Sequence, residues 1–133
     1  MGNVRPGTFF WVLAPALLLL TIPLLADSHV RIVRLSDVEG DVQVDRNIGH
    51  GFENALLNLP ITEGVMLRTE SDGRAEVEFE NGSTLRLAPF TEIRFDQLSL
   101  RDSGARDSSV TLVVGILYVN SSAAKGDDFT LNF

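Results

Sequence analysis

The sequence predicts an all-β domain, and three observations lead to that class. Apolar and polar residues alternate with a two-residue period through residues 67–95, as in strands that are buried on one side. The apolar positions of this stretch carry odd numbers, so they share one face of a sheet. Glycine-containing turns separate the short apolar runs. We therefore expect antiparallel hairpins that form a small sandwich or a β-roll or solenoid-like domain, preceded by an N-terminal signal or anchor helix.

The odd numbering of the apolar positions, which we call their parity, determines the register of one hairpin. A two-residue turn at Asn81-Gly82 would place Val77 opposite Arg86 and bring a charge into the core. A three-residue loop that ends at Gly82, with a left-handed backbone there, pairs Val77 with Leu85 instead. The sequence therefore predicts the three-residue loop.

The turn upstream, which contains Asp72 and Gly73, is predicted to close a second hairpin of the same kind. That hairpin would place Arg68 opposite Glu76, while Arg86 faces Glu76 from the other side. Such a row of alternating charges is typical of a solvated sheet face, where each exposed pair contributes about 0.5 kcal/mol.

Two further glycines mark turns earlier in the chain. Residues 29–35 and 41–44 alternate as strands do, and Gly40 between them indicates a bend or a bulge. Gly64 precedes the next strand, which begins at Val65. Together with the two hairpin turns, these positions make up our set of structural turn residues: Gly40, Gly64, Asp72, Gly73, Asn81 and Gly82.

The other segments are less regular. Residues 46–56 lose the alternation and are predicted to form a loop with one helical turn around residues 53–57. Residues 110–119 are the most continuously apolar strand candidate, which we expect to be buried, with a bulge or tight bend at Gly115. Residues 129–133 begin another strand, whose pairing with residues 110–119 would leave its other edge free. We therefore expect a domain that is truncated at its C-terminus or completed by another chain.

The composition excludes several functional classes. The formal net charge is −7, from 11 basic and 18 acidic side chains spread along the chain, which argues against nucleic-acid binding. The absence of cysteine excludes disulfides, thiol catalysis and zinc–thiolate sites. The length leaves room for one small domain of roughly 100 residues after the N-terminal segment.

The N-terminal segment has the pattern of an export signal. Arg5 supplies a positive charge, an apolar run covers residues 9–25, and Ala26 offers a cleavage site. An uncleaved membrane anchor is the alternative, because a large leucine occupies the third position before that site. The sequence thus predicts a signal peptide or membrane anchor over residues 1–26 and a domain over residues 27–133, located in the periplasm or cell envelope.

Residues of the types that bind metals are too scattered to predict a site. His29 lies beside the apolar run and His50 lies in a glycine-rich loop, with no carboxylate cluster at ligand spacing. Asp37, Glu39 and Asp41 surround a glycine, but they lack the spacing and the terminal bidentate glutamate of a calcium loop. We expect no metal and no cofactor.

A row of carboxylates is the remaining candidate for catalysis. Glu76, Glu78 and Glu80 alternate along one predicted strand beside arginines. Such a row is more typical of a solvated face than of an acid–base pair. We expect no catalytic residues and no enzymatic activity.

An ordered series of short motifs runs through most of the chain after residue 39. Its members are Gly40-Asp41-Val42-Gln43-Val44, Leu59-Pro60, Thr62-Glu63-Gly64, Leu67-Arg68-Thr69, Asp72-Gly73-Arg74-Ala75-Glu76-Val77, Asn81-Gly82-Ser83, Leu85-Arg86-Leu87, Thr91-Glu92-Ile93 and Gly115-Ile116-Leu117-Tyr118-Val119. In this order the motifs resemble the FecR domain family, and the block between Thr69 and Ser83 is the most specific part of the resemblance.

The resemblance implies an all-β extracytoplasmic domain, known in iron-uptake regulators that carry a signal from an outer-membrane transporter to a cytoplasmic sigma factor. Those regulators place an anti-sigma domain before the membrane segment. Only residues 1–8 precede the apolar run here, so the chain is expected to be a stand-alone exported member without anti-sigma activity.

Two functional hypotheses follow. The first is a protein-binding or signal-regulatory module of the cell envelope, whose partner is another envelope protein. The alternative is a carbohydrate- or cell-wall-binding module that uses the same sheet. Sugar-binding platforms present exposed aromatic rings, whereas Trp11 lies in the N-terminal segment and Tyr118 in the strand expected to be buried. The distribution of aromatic residues therefore favours a protein partner.

Overall fold

The computed structural model describes residues 2, 3, 7, 30–122 and 124–133. The predicted signal peptide or anchor over residues 1–26 lies outside the described residues, apart from three isolated positions, and it stays a prediction. Within the described part of the chain, no helix is long and apolar enough to cross a membrane.

In the described part of the chain ten strands form two sheets, which confirms the all-β class. The four-stranded sheet has the order β1-β5-β6-β9, and the six-stranded sheet has the order β10-β8-β7-β4-β2-β3. All neighbouring strands are antiparallel except β10 and β8, which are parallel. The strands are β1 (Val33–Glu39), β2 (Val42–Asp45), β3 (Phe52–Asn54), β4 (Met66–Thr69), β5 (Arg74–Phe79), β6 (Thr84–Leu87), β7 (Glu92–Leu100), β8 (Arg106–Val114), β9 (Leu117–Asn120) and β10 (Asp128–Asn132).

The chain passes repeatedly from one sheet to the other through short crossovers. β1 leads into β2 through Gly40, β4 into β5 through residues 70–73, β6 into β7 through residues 88–91, and β8 into β9 through Gly115. Each crossover is short, so the two strands it joins face each other across the core at that end. At its other end β5 lies over β10, where the ring centres of Phe79 and Phe129 are 5.9 Å apart. The inner faces of the two sheets enclose one core, so the architecture is a sandwich. The largest fully buried side chains are Phe95, Leu35, Ile61, Leu67, Leu85, Leu87, Ile93, Val65, Val77 and Val110.

The structure confirms the register predicted from parity. Val77 lies opposite Leu85, and Glu76 lies opposite Arg86. The N–H of Phe79 donates to the carbonyl of Ser83 at 2.9 Å, which leaves three residues in the loop. Gly82 has a φ of +84°, the left-handed conformation that the loop requires.

The predicted hairpin at Asp72 and Gly73 is wrong, because this turn crosses between the sheets. β4 pairs with β2 and β7, so Arg68 lies in the six-stranded sheet, opposite Gln43 and Glu92. The strand β5 instead has β1 beside it, and Asp37 takes the position predicted for Arg68. Parity could not separate the two arrangements, because an apolar face is buried equally well against a neighbour in the same sheet or across the core.

The predicted helical turn near residues 53–57 is also wrong. Phe52–Asn54 forms the edge strand β3, in which Glu53 lies opposite Val44 of β2. The guanidinium carbon of Arg68 lies 3.8 Å from the centre of the Phe52 ring. A backbone ladder and a cation–π contact therefore hold a segment that has no apolar alternation of its own.

Residues 110–119 do not form one buried strand. The chain bends at Gly115, as the sequence predicts, with a φ of +101°. The bend divides the segment between β8 and β9, which belong to different sheets. Most of the apolar side chains on both sides of the bend are exposed, including that of Tyr118 at 62 %.

The β1–β2 crossover at Gly40 and the β4–β5 crossover over residues 70–73 pack directly on each other. The N–H of Glu70 donates to the carbonyl of Asp41 at 3.0 Å, and the N–H of Asp41 donates to Oδ1 of Asp72 at 3.2 Å. A Cβ atom at Gly40 would overlap the carbonyl oxygen of Asp72, and one at Gly73 would overlap that of Asp41. Glycine is therefore required at both positions by close backbone approach.

We expect Gly40→Ala to destabilise the fold more than Gly51→Ala. The two glycines have nearly the same left-handed φ, +62° and +67°, but nothing lies within 4 Å of a Cβ atom at Gly51. Gly51→Ala should lower the free energy of unfolding by about 1 kcal/mol because of the backbone conformation alone. Gly40→Ala should add about 1–3 kcal/mol for the overlap with Asp72. Urea unfolding of both variants measures the difference, and equal losses would contradict the packing of the crossovers.

The chain covers the outer edge of β1. The N–H of Leu35 donates to the carbonyl of Leu59, and the N–H of Ile61 donates to the carbonyl of Val33, at 2.9 and 2.8 Å. Residues 58–61 thus lie along β1, whereas the N–H of Ala55 donates to the carbonyl of Val42 in β2 at 2.8 Å. Ala55 and Ile61 are both buried in the core.

Candidate protein-binding surface

The predicted turn residues stabilise the scaffold at three separate places: the packed crossovers with Gly40, Asp72 and Gly73, the turn at Gly64, and the loop with Asn81 and Gly82. Gly64, with a φ of +84°, donates its N–H to the carbonyl of Phe95 at 2.8 Å, just before β4. Asn81 accepts a hydrogen bond from the N–H of Ser83 at 3.0 Å, inside the β5–β6 loop. The other turn residues lie at the crossovers described above or in that same loop.

The exposed apolar residues are concentrated where β8 crosses to β9. We define the β8–β9 surface as six residues, each of them more than 40 % exposed: Phe90, Val113, Val114, Ile116, Tyr118 and Val119. Residues 108–124 contain no charged side chain, in a chain of which 22 % is charged. A large exposed apolar surface of this kind is typical of an interaction site.

Two buried threonines hold Phe90 beside the β8–β9 crossover. The hydroxyl of Thr69 donates to the carbonyl of Ala88 at 2.6 Å and accepts from the N–H of Thr91 at 3.0 Å. The hydroxyl of Thr91 in turn accepts from the N–H of Ile116 at 3.0 Å. Phe90 and Ile116 are therefore held on adjacent crossovers by a chain of hydrogen bonds that is closed to solvent at both threonines.

Phe90 combines two features that rarely occur together. Its φ is +56°, which is uncommon for a bulky residue other than glycine. Its side chain is 63 % exposed, so burial of the ring does not compensate for the backbone strain within this chain. A strained residue with an exposed ring is a candidate contact for a partner.

A cleft adjoins the surface on each side. The larger has a volume of about 450 Å³, lies on the outer face of the four-stranded sheet, and is lined mainly by Asp37, Glu39, Arg74, Glu76, Arg86 and Tyr118. The smaller has a volume of about 260 Å³, and Arg68, Phe90, Glu92 and Val114 contribute to its lining. Apolar residues of the surface therefore lie next to charged residues in both clefts.

Hydrogen bonds fix the charge of Glu76 in the larger cleft. Nε of Arg86 donates to Oε2 of Glu76 at 2.7 Å, and the hydroxyl of Ser36 donates to Oε1 at 2.9 Å. These bonds, with that from Arg86 the stronger cause, hold the pKa of Glu76 below its usual value. Glu76 is therefore ionised at neutral pH and acts as a hydrogen-bond acceptor rather than as a proton donor.

The opposite end of the sandwich carries a polar network that the sequence did not indicate. The side chain of Arg31 is only 4 % exposed, and it bonds to the carboxylate of Glu80, the carbonyls of Ser99 and Asp107, and the hydroxyl of Ser108. The interpretation of Glu80 as part of a solvated face is therefore wrong. By contrast, Glu78 and its partner Arg34 are each more than 40 % exposed, as that interpretation requires.

Asp127 extends this network from the loop before β10. It accepts the N–H of Arg106 at 2.9 Å, and its side chain is 6 % exposed. That backbone hydrogen bond, aided by Asn81 and the charge of Arg106, lowers the pKa of Asp127.

We expect Asp127 to make the stability of the fold depend on pH in the acid range. A lowered pKa means that the stabilisation is complete above the pKa of the unfolded chain, about 4, and is lost as the pH falls through the folded value. Asp127→Asn should therefore be less stable than the wild type at pH 7, with a difference that shrinks below about pH 4. Urea midpoints at pH 7 and pH 3 test this, and a difference that is independent of pH would contradict it.

The candidate metal ligands are not brought together. His50 lies at the surface, with Nδ1 3.3 Å from Oε1 of Glu53. Among residues 30–122 and 124–133, no group of three or more potential ligands could hold a metal ion. His29 lies outside the described residues.

Tyr118 is the residue for which the sequence interpretation was furthest from the structure. The apolar run around it predicted burial, yet the strand lies at the edge of its sheet and the ring is exposed. The signal that the sequence offered is Gly115 within the uncharged run, because a bend there divides the run between strands of different sheets.

The fold and this surface define a small all-β sandwich module with an exposed apolar edge. A family model described as FecR protein matches residues 66–133, just over half of the chain, and all six residues of the β8–β9 surface lie within the match. The chain belongs to the FecR family, a family of regulatory envelope-signalling proteins. No curated protein and no solved structure gives a significant match to the chain.

Proposed function

We propose that this protein is a non-enzymatic, exported signal-regulatory module that binds another protein of the cell envelope through the β8–β9 surface. The observation that carries the proposal is the exposure of six large apolar and aromatic side chains on β8, β9 and the crossovers beside them, all within the family match. A protein of this acidity has ample charged surface for solubility, so an uncharged apolar surface serves contact rather than solvation.

The composition of the surface fits a protein partner. Aromatic residues are enriched at the centres of protein interfaces, and Phe90 and Tyr118 supply two at this site. The charged residues of the adjoining clefts would then form the polar rim, with Arg86 and Glu76 on one side and Arg68 and Glu92 on the other.

A carbohydrate or cell-wall ligand is the second candidate, and the exposure of Tyr118 favours it more than the sequence did. The exposed ring contributes to the larger cleft, where arginine and carboxylate side chains could bind sugar hydroxyls. Phe90, however, lines the other cleft, so the two rings do not form one platform. This arrangement supports the protein partner over the glycan.

Photo-crosslinking in the native envelope tests the proposal. A photoreactive phenylalanine analogue in place of Tyr118 of the full chain should give an adduct with one envelope protein. The same analogue at Gln97, an exposed position of β7 in the other sheet, should not. Ile116→Asp should abolish the adduct at position 118 while leaving the thermal midpoint nearly unchanged, because Ile116 is 56 % exposed.

The same protein applied to a glycan array distinguishes the two candidates. Binding to glycan that Tyr118→Ala abolishes, together with no protein adduct at position 118, would overturn the proposal in favour of the carbohydrate. An adduct at position 118 that Ile116→Asp removes, with no glycan retained, is the expected result.

A further inference from the structure

The carboxylate of Glu92 lines the smaller cleft without a cation of its own. Glu92 lies on β7 directly opposite Arg68 of β4, a position in which a cross-strand ion pair is expected. Among the residues that the structure describes, however, neither Arg68 nor any other basic side chain bonds to it. A half-buried, unpaired carboxylate therefore lies next to the β8–β9 surface.

The guanidinium of Arg68 bonds to other residues of the chain instead. Nη2 of Arg68 donates to Oε1 of Gln43 at 2.7 Å, and Nε lies 3.2 Å from Oε1 of Glu70. The guanidinium carbon lies over the ring of Phe52, on the β3 side of the sheet. One guanidinium and two carboxylates line the smaller cleft, so it carries a net charge of −1, and that charge is the one of Glu92.

Two exposed apolar side chains lie beside this carboxylate. Val114 is the residue of β8 opposite Glu92, and Phe90 lies on the crossover that leads into β7. Both side chains line the smaller cleft. The face of a phenylalanine ring attracts a cation, and the attraction increases when water is excluded. The cleft therefore offers apolar surface for a hydrocarbon stem together with a ring and a carboxylate for a positive charge.

The size of the cleft fits a single side chain of a partner. Its volume is about 260 Å³, below the range of about 300–1,000 Å³ that is usual for sites of small organic ligands. Lysine and arginine bury their apolar stems along a hydrophobic surface and keep the terminal charge at a polar group. A basic side chain therefore matches both the walls and the charge of the cleft, and the acidity of the whole chain attracts a basic partner over a longer range.

Other classes of side chain fit the cleft less well. An acidic side chain would meet the net negative charge, and the cation that could receive it, Arg68, is already paired with Glu70. A purely apolar side chain would cover Glu92 and leave its charge desolvated without a partner, which is costly. Only a basic side chain satisfies Glu92 and covers Phe90 and Val114 at the same time.

We propose that the smaller cleft binds an arginine or lysine side chain of the partner protein, with the stem against Phe90 and Val114 and the cation at Glu92. This inference rests on the proposed function and specifies the chemistry that the partner carries at this place. Arginine is the closer match, because its planar guanidinium stacks on aromatic rings, as that of Arg68 does on Phe52. The left-handed backbone of Phe90 then has a purpose, since it presents the ring to the partner.

Nuclear magnetic resonance with two defined peptides tests the chemistry of the cleft directly. The probe is the end-capped pentapeptide Gly-Gly-Arg-Gly-Gly, and its control carries citrulline, the neutral isostere of arginine, at the central position. At millimolar concentration the arginine peptide should shift the amide signals of Phe90, Glu92 and Val114 in the full chain, and the citrulline peptide should shift them severalfold less. Equal shifts with the two peptides would show that the cleft does not recognise a positive charge and would overturn the proposal.

Two variants separate the contribution of the carboxylate from that of the ring. Glu92→Gln removes the charge, keeps the shape and should weaken binding of the arginine peptide about fivefold or more. Phe90→Gly removes the ring, suits the left-handed φ of the crossover and should weaken the same binding about twofold or more. Glu78→Gln is the matched control, because it neutralises an exposed carboxylate of the other sheet, and it should leave the binding unchanged.

Crosslinking in the native envelope separates this inference from the proposed function. With the photoreactive analogue at Tyr118 of the full chain, the adduct yield should fall about threefold or more in Glu92→Gln and stay near the wild-type level in Glu78→Gln. An undiminished adduct in Glu92→Gln would overturn the basic side chain and leave the protein-binding function standing. No adduct in the wild type would overturn the function itself, and the two peptides would then decide the chemistry of the cleft on their own.

Discussion

Val77→Asp should unfold the domain. Val77 is fully buried between the two sheets and lies opposite Leu85 in the centre of β5 and β6. An aspartate there would place a carboxylate among apolar side chains with no cation in reach, and it would also remove the packing of the valine. The free energy of unfolding should fall by about 4 kcal/mol or more, a large fraction of the stability of a domain of this size.

The matched control is Glu78→Gln on the neighbouring position of the same strand. Glu78 points outward, and its partner Arg34 is about as exposed as Glu78 is, so the change should stay within about 0.5 kcal/mol. Urea unfolding followed by far-UV circular dichroism measures both variants. A Val77→Asp protein with a wild-type unfolding midpoint would show that the face assignment of β5 is wrong.

Glu80→Ala should be the second most damaging single change. It leaves the guanidinium of Arg31, whose side chain is only 4 % exposed, without its carboxylate partner. The remaining contacts of Arg31 are to two carbonyls and a hydroxyl, which stabilise the cation less than a carboxylate does. Breaking a buried pair in this way destabilises by about 3–5 kcal/mol.

Glu78→Ala is the control for Glu80→Ala, because it removes a carboxylate from an exposed pair with Arg34 and should alter stability by about 0–1 kcal/mol. The double variant Arg31→Met/Glu80→Ala adds a second check. Its destabilisation should be smaller than the sum of the two single changes by about 0.5–3 kcal/mol, since the unpaired charge is then gone. Additive losses would mean that Arg31 and Glu80 do not interact.

The network of Arg31 and Glu80 shows where the alternation of carboxylates along a strand fails to predict exposure. Glu76, Glu78 and Glu80 have identical spacing, and alternation alone assigns all three to a solvated face. Glu78 obeys that assignment, but Glu80 lies past the end of β5, in the loop, where the side chain no longer follows the strand period. Arg31 is 49 positions away in the sequence, so its approach is a property of the tertiary fold.

The candidate surface was partly accessible from the sequence. The uncharged run over residues 108–124 and the bend at Gly115 are visible there, and the family resemblance included residues 115–119. Exposure was not visible, because an apolar strand in the middle of a sheet and one at its edge have the same composition. The contribution of Phe90 was hidden as well, since its place beside Ile116 depends on the hydrogen bonds of Thr69 and Thr91.

The sequence by itself determined the strands within residues 67–95, the faces they bury and the register of β5 with β6, because the two-residue period and the loop length are local properties of the chain. Only the tertiary structure decided which strands share a sheet. A turn such as that at Gly73 serves a hairpin or a crossover equally well, and the choice depends on the close approach of Gly40 and Gly73 to the facing backbone. That choice makes β9 an edge strand, because burial depends on the neighbours that the whole fold supplies.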